Sequence, residues 1–260
     1  MELYDDFDYL CNEPYFIPNI GTIINPTLRD IRKLTHKLFT LYVNMCIISV
    51  TDYVEQCNLK EQYEQLSEED KDKNTLFTLL LYTNSELLFG LIGFFIKDNV
   101  EFRKNDLSFH VYIEETDDDG KISKKEIGII NTDNFDIFRN EVLKILGLKN
   151  QEEEQEQKFK NKTAKKLFEK LQKHAKEQKK KSDENYTLDN MIKKYCTHNK
   201  VGINILNVWD MTYYQFTSMF NEYCNGRQCD FNDMMAANTF SYKKSTDYKP
   251  LDYIKKLKNN

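Results

Sequence analysis

The chain of 260 residues is 40% hydrophobic, 30% charged and 13% aromatic, and carries a formal net charge of −5. That length and aromatic supply suffice for one or two domains with a real core, and they exclude collagen-like repeats, a disulfide-stapled mini-protein and wholesale disorder. With only 8 Gly and 4 Pro, extensive Gly-rich phosphate loops are not expected and a helical chain is.

Taken in order, residues 1–24 mix acids and aromatics, and the acidic start lacks the basic and apolar regions of a secretory signal. Asn25-Pro26 predicts a helix start, with Asn25 as N-cap and Pro26 at the first helical position. Leu28, Ile31, Leu34, Leu38, Leu41, Met45 and Ile48 follow at three- and four-residue steps. That spacing predicts one amphipathic helix of about five or six turns. Residues 51–65 read as a second, more polar helix, and residues 67–74 as a solvated connector. The most apolar window, residues 76–96, holds Thr83, Asn84, Ser85 and Glu86 near its centre. A central Glu is costly in a bilayer, so the window predicts two buried helical segments split by an Asn-Ser cap.

The period then changes. Residues 100–103 and 107–113 alternate apolar with polar, as half-buried strands do, and residues 126–130 form the return strand beyond a hairpin tip at Asp117-Asp-Asp-Gly120. Thr132 or Asp133 can cap a helix carrying Phe135, Phe138, Val142, Ile145 and Leu146, which Gly147 ends. From residue 151 four Glu precede a run, residues 158–181, with 11 Lys against 2 Glu. Acids first and bases last complement a helix dipole, which predicts one long exposed helix. Beyond it lie a β-like run at residues 201–206 and a capping box, Thr212-Tyr-Tyr-Gln215. The box opens an amphipathic helix through Phe216, Met219, Phe220 and Tyr223.

The expected fold is therefore mainly α within an α+β class. Its divisions are an N-terminal helical domain at 1–98, a β-hairpin with a helix packed on it at 99–150, a Lys-rich helical linker at 151–184, and a small C-terminal helical region at 185–260.

Motifs with chemistry are few. Residues 115–126 match an EF-hand calcium loop at Asp117, Asp119, Gly120, Ile122 and Glu126. The loop starts with Glu115 in place of Asp, and its flanks read as strands where that motif needs helices, so a polar hairpin tip is expected. Cys196, His198, Cys224 and Cys229 supply zinc-ligand types at spacings unlike those of tight zinc knuckles. No metal site or other cofactor is expected, and the six Cys read as reduced thiols of a cytosolic protein. The Lys run lacks Arg and offers only Phe159 and Phe168 for stacking, so a solvated helix or a surface for an acidic partner is preferred over a nucleic-acid groove. His36, His110, His174 and His198 enter no recognisable nucleophile or metal motif, and no enzymatic activity is expected.

The order of segments is more informative than any one motif. Ile23-Ile-Asn-Pro-Thr-Leu-Arg-Asp-Ile31 resembles the hydrophobic-Pro-Thr-Leu-(Arg/Lys)-(Glu/Asp)-Ile opening of tail assembly chaperones from long-tailed phages of Gram-positive hosts. Similar segments follow in the same order: Leu91-Ile-Gly-Phe-Phe95, Ile129-Ile-Asn-Thr-Asp-Asn-Phe135, Asn161-Lys-Thr-Ala-Lys-Lys-Leu-Phe-Glu-Lys-Leu171 and Val208-Trp-Asp-Met-Thr-Tyr-Tyr-Gln-Phe216. Asn25 stands where that family often has a first proline. The resemblance implies a non-enzymatic protein of the infected host's cytoplasm that binds the tape-measure protein, holds it soluble and helps tail-tube subunits assemble around it. The implied partners are the tape-measure and tail-tube proteins, with self-association open, and neither a membrane nor a nucleic acid is expected. Trp209, Tyr213, Tyr214, Phe216 and Phe220 are the candidate partner surface, because aromatics dominate interface hot spots; the alternative is that they pack the C-terminal helix onto the core. Two further readings stay open: a structural tail or connector component retained in the virion, and a nucleic-acid-binding accessory protein using the Lys run.

Overall fold

The structure is a computed structural model that describes residues 4–116, 122–148, 187–237 and 251. The Lys-rich segment at 151–184 and the hairpin tip at 117–121 lie outside the described residues. The chain divides into two compact units, residues 1–156 and 157–260. It is mostly helical with two small antiparallel sheets, the mixed α+β class expected from the sequence.

The first unit opens with a hairpin that the alternation of its short strands does not mark in the sequence. Strands β1 (Tyr15–Ile17) and β2 (Gly21–Ile23) pair antiparallel, with Tyr15, Ile17 and Ile23 turned inward. Helices α1 (Leu28–Leu34) and α2 (His36–Ile47) replace the single helix expected from the spacing. Thr35 breaks the run: its φ of 85° lies in the left-handed region that a β-branched residue rarely adopts, and its hydroxyl caps α2. The N-cap of α1 is Thr27 rather than Asn25. Thr27 Oγ1 accepts from the Asp30 amide at 3.1 Å while the Asp30 carboxylate receives the Thr27 amide, a capping box that no asparagine two residues earlier can match. Asn25 is instead buried, with no hydrogen bond to its side-chain amide among the described residues.

Helices α3 (Val50–Gln56) and α4 (Lys60–Glu64) share the segment read as one polar helix. The expected solvated connector is itself a short helix, α5 (Glu68–Lys73). Ser67 caps it and acids fill its first turn, so local charge and capping hold it without any buried residue. The apolar window folds as α6 (Leu76–Thr83) and α7 (Ser85–Phe95), bent by 117° at Asn84. No single helix among the described residues is long and apolar enough to cross a membrane. Leu88, Leu91, Ile92 and Phe95 of α7 are fully buried. At roughly 1.5–3 kcal/mol per buried side chain, they make α7 a main contributor to the core.

A three-stranded sheet follows in the order β3 (Asn99–Arg103), β4 (Ser108–Thr116), β5 (Ile122–Ile130). The flanks of the calcium-loop-like motif are thus strands, as expected. One face carries Phe102 and Phe109, whose rings meet at 5.0 Å across the β3–β4 pair, and Phe77 and Phe89 close on Phe109. Helix α8 (Phe135–Ile145) adds Phe135 against Phe77 and packs along α2, and Gly147 follows at a φ of 69°. The two sheets are tied together. Asn19 bridges to Gly128 on β5, the Ile129 amide donates to the Asn19 carbonyl at 3.0 Å, and Ile23 bridges to Ile96 beyond α7.

The second unit contains α9 (Leu188–His198), a 3-10 turn at Val208–Asp210 and the long helix α10 (Tyr213–Ala237). The capping box forms as read: the Gln215 amide donates to Thr212 Oγ1 at 3.1 Å and Thr212 returns its amide to Gln215 Oε1 at 2.9 Å. Residues 201–206 form a loop in place of the expected β-like run, because side chains of three asparagines take up its backbone groups.

Candidate partner-binding surface

The C-terminal unit is organised around one tyrosine. Tyr195 on α9 lies edge-on to Phe216 at 5.9 Å and to Tyr223 at 5.7 Å, and Phe216 stacks on Phe220 at 6.1 Å. Ile192, Val208 and Tyr214 are buried in the same unit. Of the five aromatics expected to face a partner, Tyr214, Phe216 and Phe220 are therefore turned inward, the packing role weighed as the alternative. Trp209 and Tyr213 are half-buried. The Trp209 indole donates to the Ile205 carbonyl at 2.8 Å and so braces the preceding loop, while burial raises the Tyr213 phenol above its usual pKa.

That loop presents the apolar surface which the aromatic pattern did not reveal. Asn199 Oδ1 accepts the amides of Val201 and Ile203, and its Nδ2 donates to the carbonyls of Tyr195 and Ile203. The Asn204 amide donates to Asn207 Oδ1 at 2.7 Å, and Asn207 Nδ2 donates to the Gly202 carbonyl at 3.2 Å. With its backbone bound this way, the loop holds Val201, Ile205 and Leu206 toward solvent, Leu206 at 82% exposure. An ion pair of 3.6 Å between Lys200 and Asp230 sets the start of the loop beside α10. Phe231, Met234 and Met235 follow on α10 and are also exposed. Apolar side chains exposed on an ordered loop and on the helix its start is tied to make this the candidate interaction surface, and methionine adapts to varied partners. The sequence signal for this loop is the asparagines flanking the apolar run, Asn199, Asn204 and Asn207.

A second cluster lies on the sheet of the first unit. The His110 ring is 6% exposed, with Nδ1 at 2.5 Å from Glu126 Oε2 and Nε2 at 2.9 Å from Asp106 Oδ2. Ser108 Oγ lies 3.0 Å from the same Nε2, and Arg103 stands 3.8 Å from Glu126. A register shift between Val111 and Tyr112 makes this possible. It places Glu126 opposite Tyr112, and so on the His110 face, where a regular ladder would have put it on the other. Burial alone would lower the His110 pKa, but the hydrogen bonds to Glu126 and then Asp106 outweigh it and the pKa lies above the usual value. Asp106 is held below the usual carboxylate range by its bonds to His110 and Ser108. Serine, histidine and carboxylate have the connectivity of a nucleophile triad, yet Asp106 occupies the nitrogen that would act as base, and Ser108 is 2% exposed. Both ring nitrogens thus face a carboxylate, an arrangement that favours the protonated imidazole. Glu126, the last position of the calcium-loop pattern, is a partner of this clamp.

Among the described residues no three His, Cys, Asp or Glu side chains gather as metal ligands, and Cys196, Cys224 and Cys229 are free thiols.

Residues 177–258 match the family model described as the YomV second domain, a phage-associated domain family. The match covers α9, the asparagine-braced loop and α10. Comparison with curated proteins and with solved structures finds no match.

Proposed function

We propose that the protein is a phage tail assembly chaperone that binds the tape-measure protein, keeps it soluble and assists tail-tube assembly. The observation that carries this reading is the asparagine-braced loop with Val201, Ile205 and Leu206 held in solvent, its start tied by Lys200 to Asp230 on α10, which itself exposes Phe231, Met234 and Met235. An apolar surface of this kind suits the stripe of an amphipathic helix, the helix-in-groove mode of recognition. The ordered resemblance to tail assembly chaperones supports it, and so does the match of this segment to a phage-associated family. In this reading the protein acts by reversible binding without catalysis, in the cytoplasm of the infected bacterium. Trp209 and Tyr213 belong to the contact through their half-exposed faces.

The test is co-expression with the tape-measure protein encoded by the same phage. The expected result is that the partner becomes soluble and co-purifies with the chain, and that Leu206→Asp with Phe231→Asp abolishes both effects while the far-ultraviolet spectrum is unchanged. Failure of solubilisation and of co-purification with the unaltered chain would sink the proposal. Recovery of the chain in purified particles would favour a structural tail component instead.

A further inference from the structure

The N-terminal segment builds a cleft that the chaperone reading does not use. It has a volume of about 480 Å³ and is lined by Tyr4, Phe7, Asp8, Leu10, Glu13 and Tyr15, among others. Its aromatic walls are fixed. Tyr15 is buried and donates its hydroxyl to the carbonyls of Cys11 at 2.9 Å and Asp8 at 3.1 Å, and Tyr4 meets its ring edge-on at 5.2 Å. Tyr4 is pinned in turn by a bond from its hydroxyl to the Phe16 carbonyl at 3.2 Å. Phe7 is 81% exposed at the rim, and Leu10 is exposed as well.

The charged residues lining the cleft, Asp8 and Glu13, are both acidic, and residues 4–28 contain no Lys or Arg. Among the described residues Glu13 makes no hydrogen bond or ion pair, and the Asp8 carboxylate accepts only the Asp5 amide at 2.9 Å. Negative charge and aromatic faces together attract a cation that carries an aliphatic stem, through cation–π contact and apolar packing of the stem. The exposed apolar side chains of Phe7 and Leu10 at the cleft favour a chain with apolar neighbours over a small free cation.

We infer that this cleft is a docking site for a basic segment of a partner protein, taking a lysine or arginine side chain between the aromatic walls with Asp8 and Glu13 as counter-charges. The inference stands apart from the chaperone reading, since it uses neither the C-terminal unit nor the tape-measure protein.

The test titrates the full-length, isotope-labelled chain with a capped peptide of alternating lysine and leucine, following amide and aromatic-ring resonances. The expected result is saturable shifts confined to residues 4–16, weakened by added salt as the charges are screened. Phe7→Ala and Glu13→Gln, both at exposed positions, each weaken binding about tenfold or less. Glu61→Gln on α4, which removes the same charge elsewhere, leaves it unchanged. Three results would overturn the inference: no saturable shifts at residues 4–16, equal weakening by Glu61→Gln, or equal binding of a peptide with norleucine for lysine. Tetramethylammonium binding as tightly as the peptide would also overturn it, by making the site one for a small cation.

Discussion

His110 on β4 and Glu126 on β5 are joined by a 2.5 Å contact between Nδ1 and Oε2, made across a register shift that turns the glutamate onto the histidine's face. The charged groups facing the ring are Glu126, Asp106 and Arg103, with Glu101 directly opposite on β3. Because the folded pKa of His110 lies above its unfolded value, its contribution is fully present below the unfolded pKa and is lost as pH rises through the folded one. Asp106, whose pKa is depressed, acts at the other end: its contribution is lost as pH falls through the folded value. The melting temperature should therefore decline from mildly acidic toward alkaline pH, and the decline should flatten in His110→Gln. At acidic pH that variant loses about 1–2 kcal/mol, the scale of a hydrogen bond to a charged group, and thermal melts across a pH series measure both effects.

Arg139 on α8 is 2% exposed, and its Nη1 donates to the carbonyl of Ile48, the residue that ends α2, at 3.3 Å. A cation at a helix C-terminus satisfies a free carbonyl and opposes the negative end of the helix dipole. Cys46 in the last turn of α2 is fully buried, and burial pushes its thiol up to about 12. Arg139→Met keeps the side-chain volume but removes the cap, at a cost of about 1–3 kcal/mol. Amides of residues 44–48 should exchange faster, and Cys46, inert to alkylation in the native chain, should become modifiable as resolved by peptide mass mapping.

Gly128 on β5 sits against the backbone of Ile20, where an added Cβ would fall 2.5 Å from the Ile20 carbonyl carbon. Gly128→Ala should force the N-terminal hairpin off the sheet and break the Ile129–Asn19 hydrogen bond, destabilising the unit by about 1–3 kcal/mol. Gly93→Ala on α7 meets no atom within 4 Å and should stabilise by roughly 0.5–1 kcal/mol through helix propensity. Urea denaturation of the two variants distinguishes close packing from a general intolerance of glycine replacement.

Tyr195 is buried between Phe216 and Tyr223, yet its hydroxyl has no hydrogen-bond partner among the described residues. Burial raises its pKa, as expected of a phenol kept from water. Tyr195→Phe removes the unpaired group and keeps the ring, so it should be neutral or stabilising by up to about 1 kcal/mol. Tyr195→Ala should cost about 3–5 kcal/mol, on the scale of losing a buried aromatic. Thermal denaturation of the pair tests whether this ring is the centre of the C-terminal unit.

Long, strongly periodic segments were legible in the sequence: the apolar pair that became α6 and α7, the alternating runs of β4 and β5, and the Thr212-Gln215 box. Features set by local competition were not. Leu28 to Ile48 keeps one apolar stripe across Thr35, so spacing alone could not show the break. Ser67 and three acids hold α5 with no buried residue, a cap signal without a hydrophobic one. The His110 clamp depends on a one-residue register shift that leaves no mark in composition. The loop at 201–206 alternates like a strand, but Asn199, Asn204 and Asn207 bind its backbone first. For the aromatics at 209–220, residue type indicated their energetic weight and could not distinguish an inward from an outward face.

The bridge between Asn19 and Gly128 also sets an order of events during synthesis. The N-terminal hairpin leaves the ribosome early, but the strand that receives it follows more than a hundred residues later. Until β5 emerges, the sheet edge that will hold Asn19 does not exist, and the apolar side chains of β1 and β2 lack half of their seat. Such distant pairing slows folding because a long loop must close before the contacts form. The first unit is therefore completed only when translation has passed β5 and then α8, beyond residue 145, and the nascent chain carries exposed apolar surface up to that point.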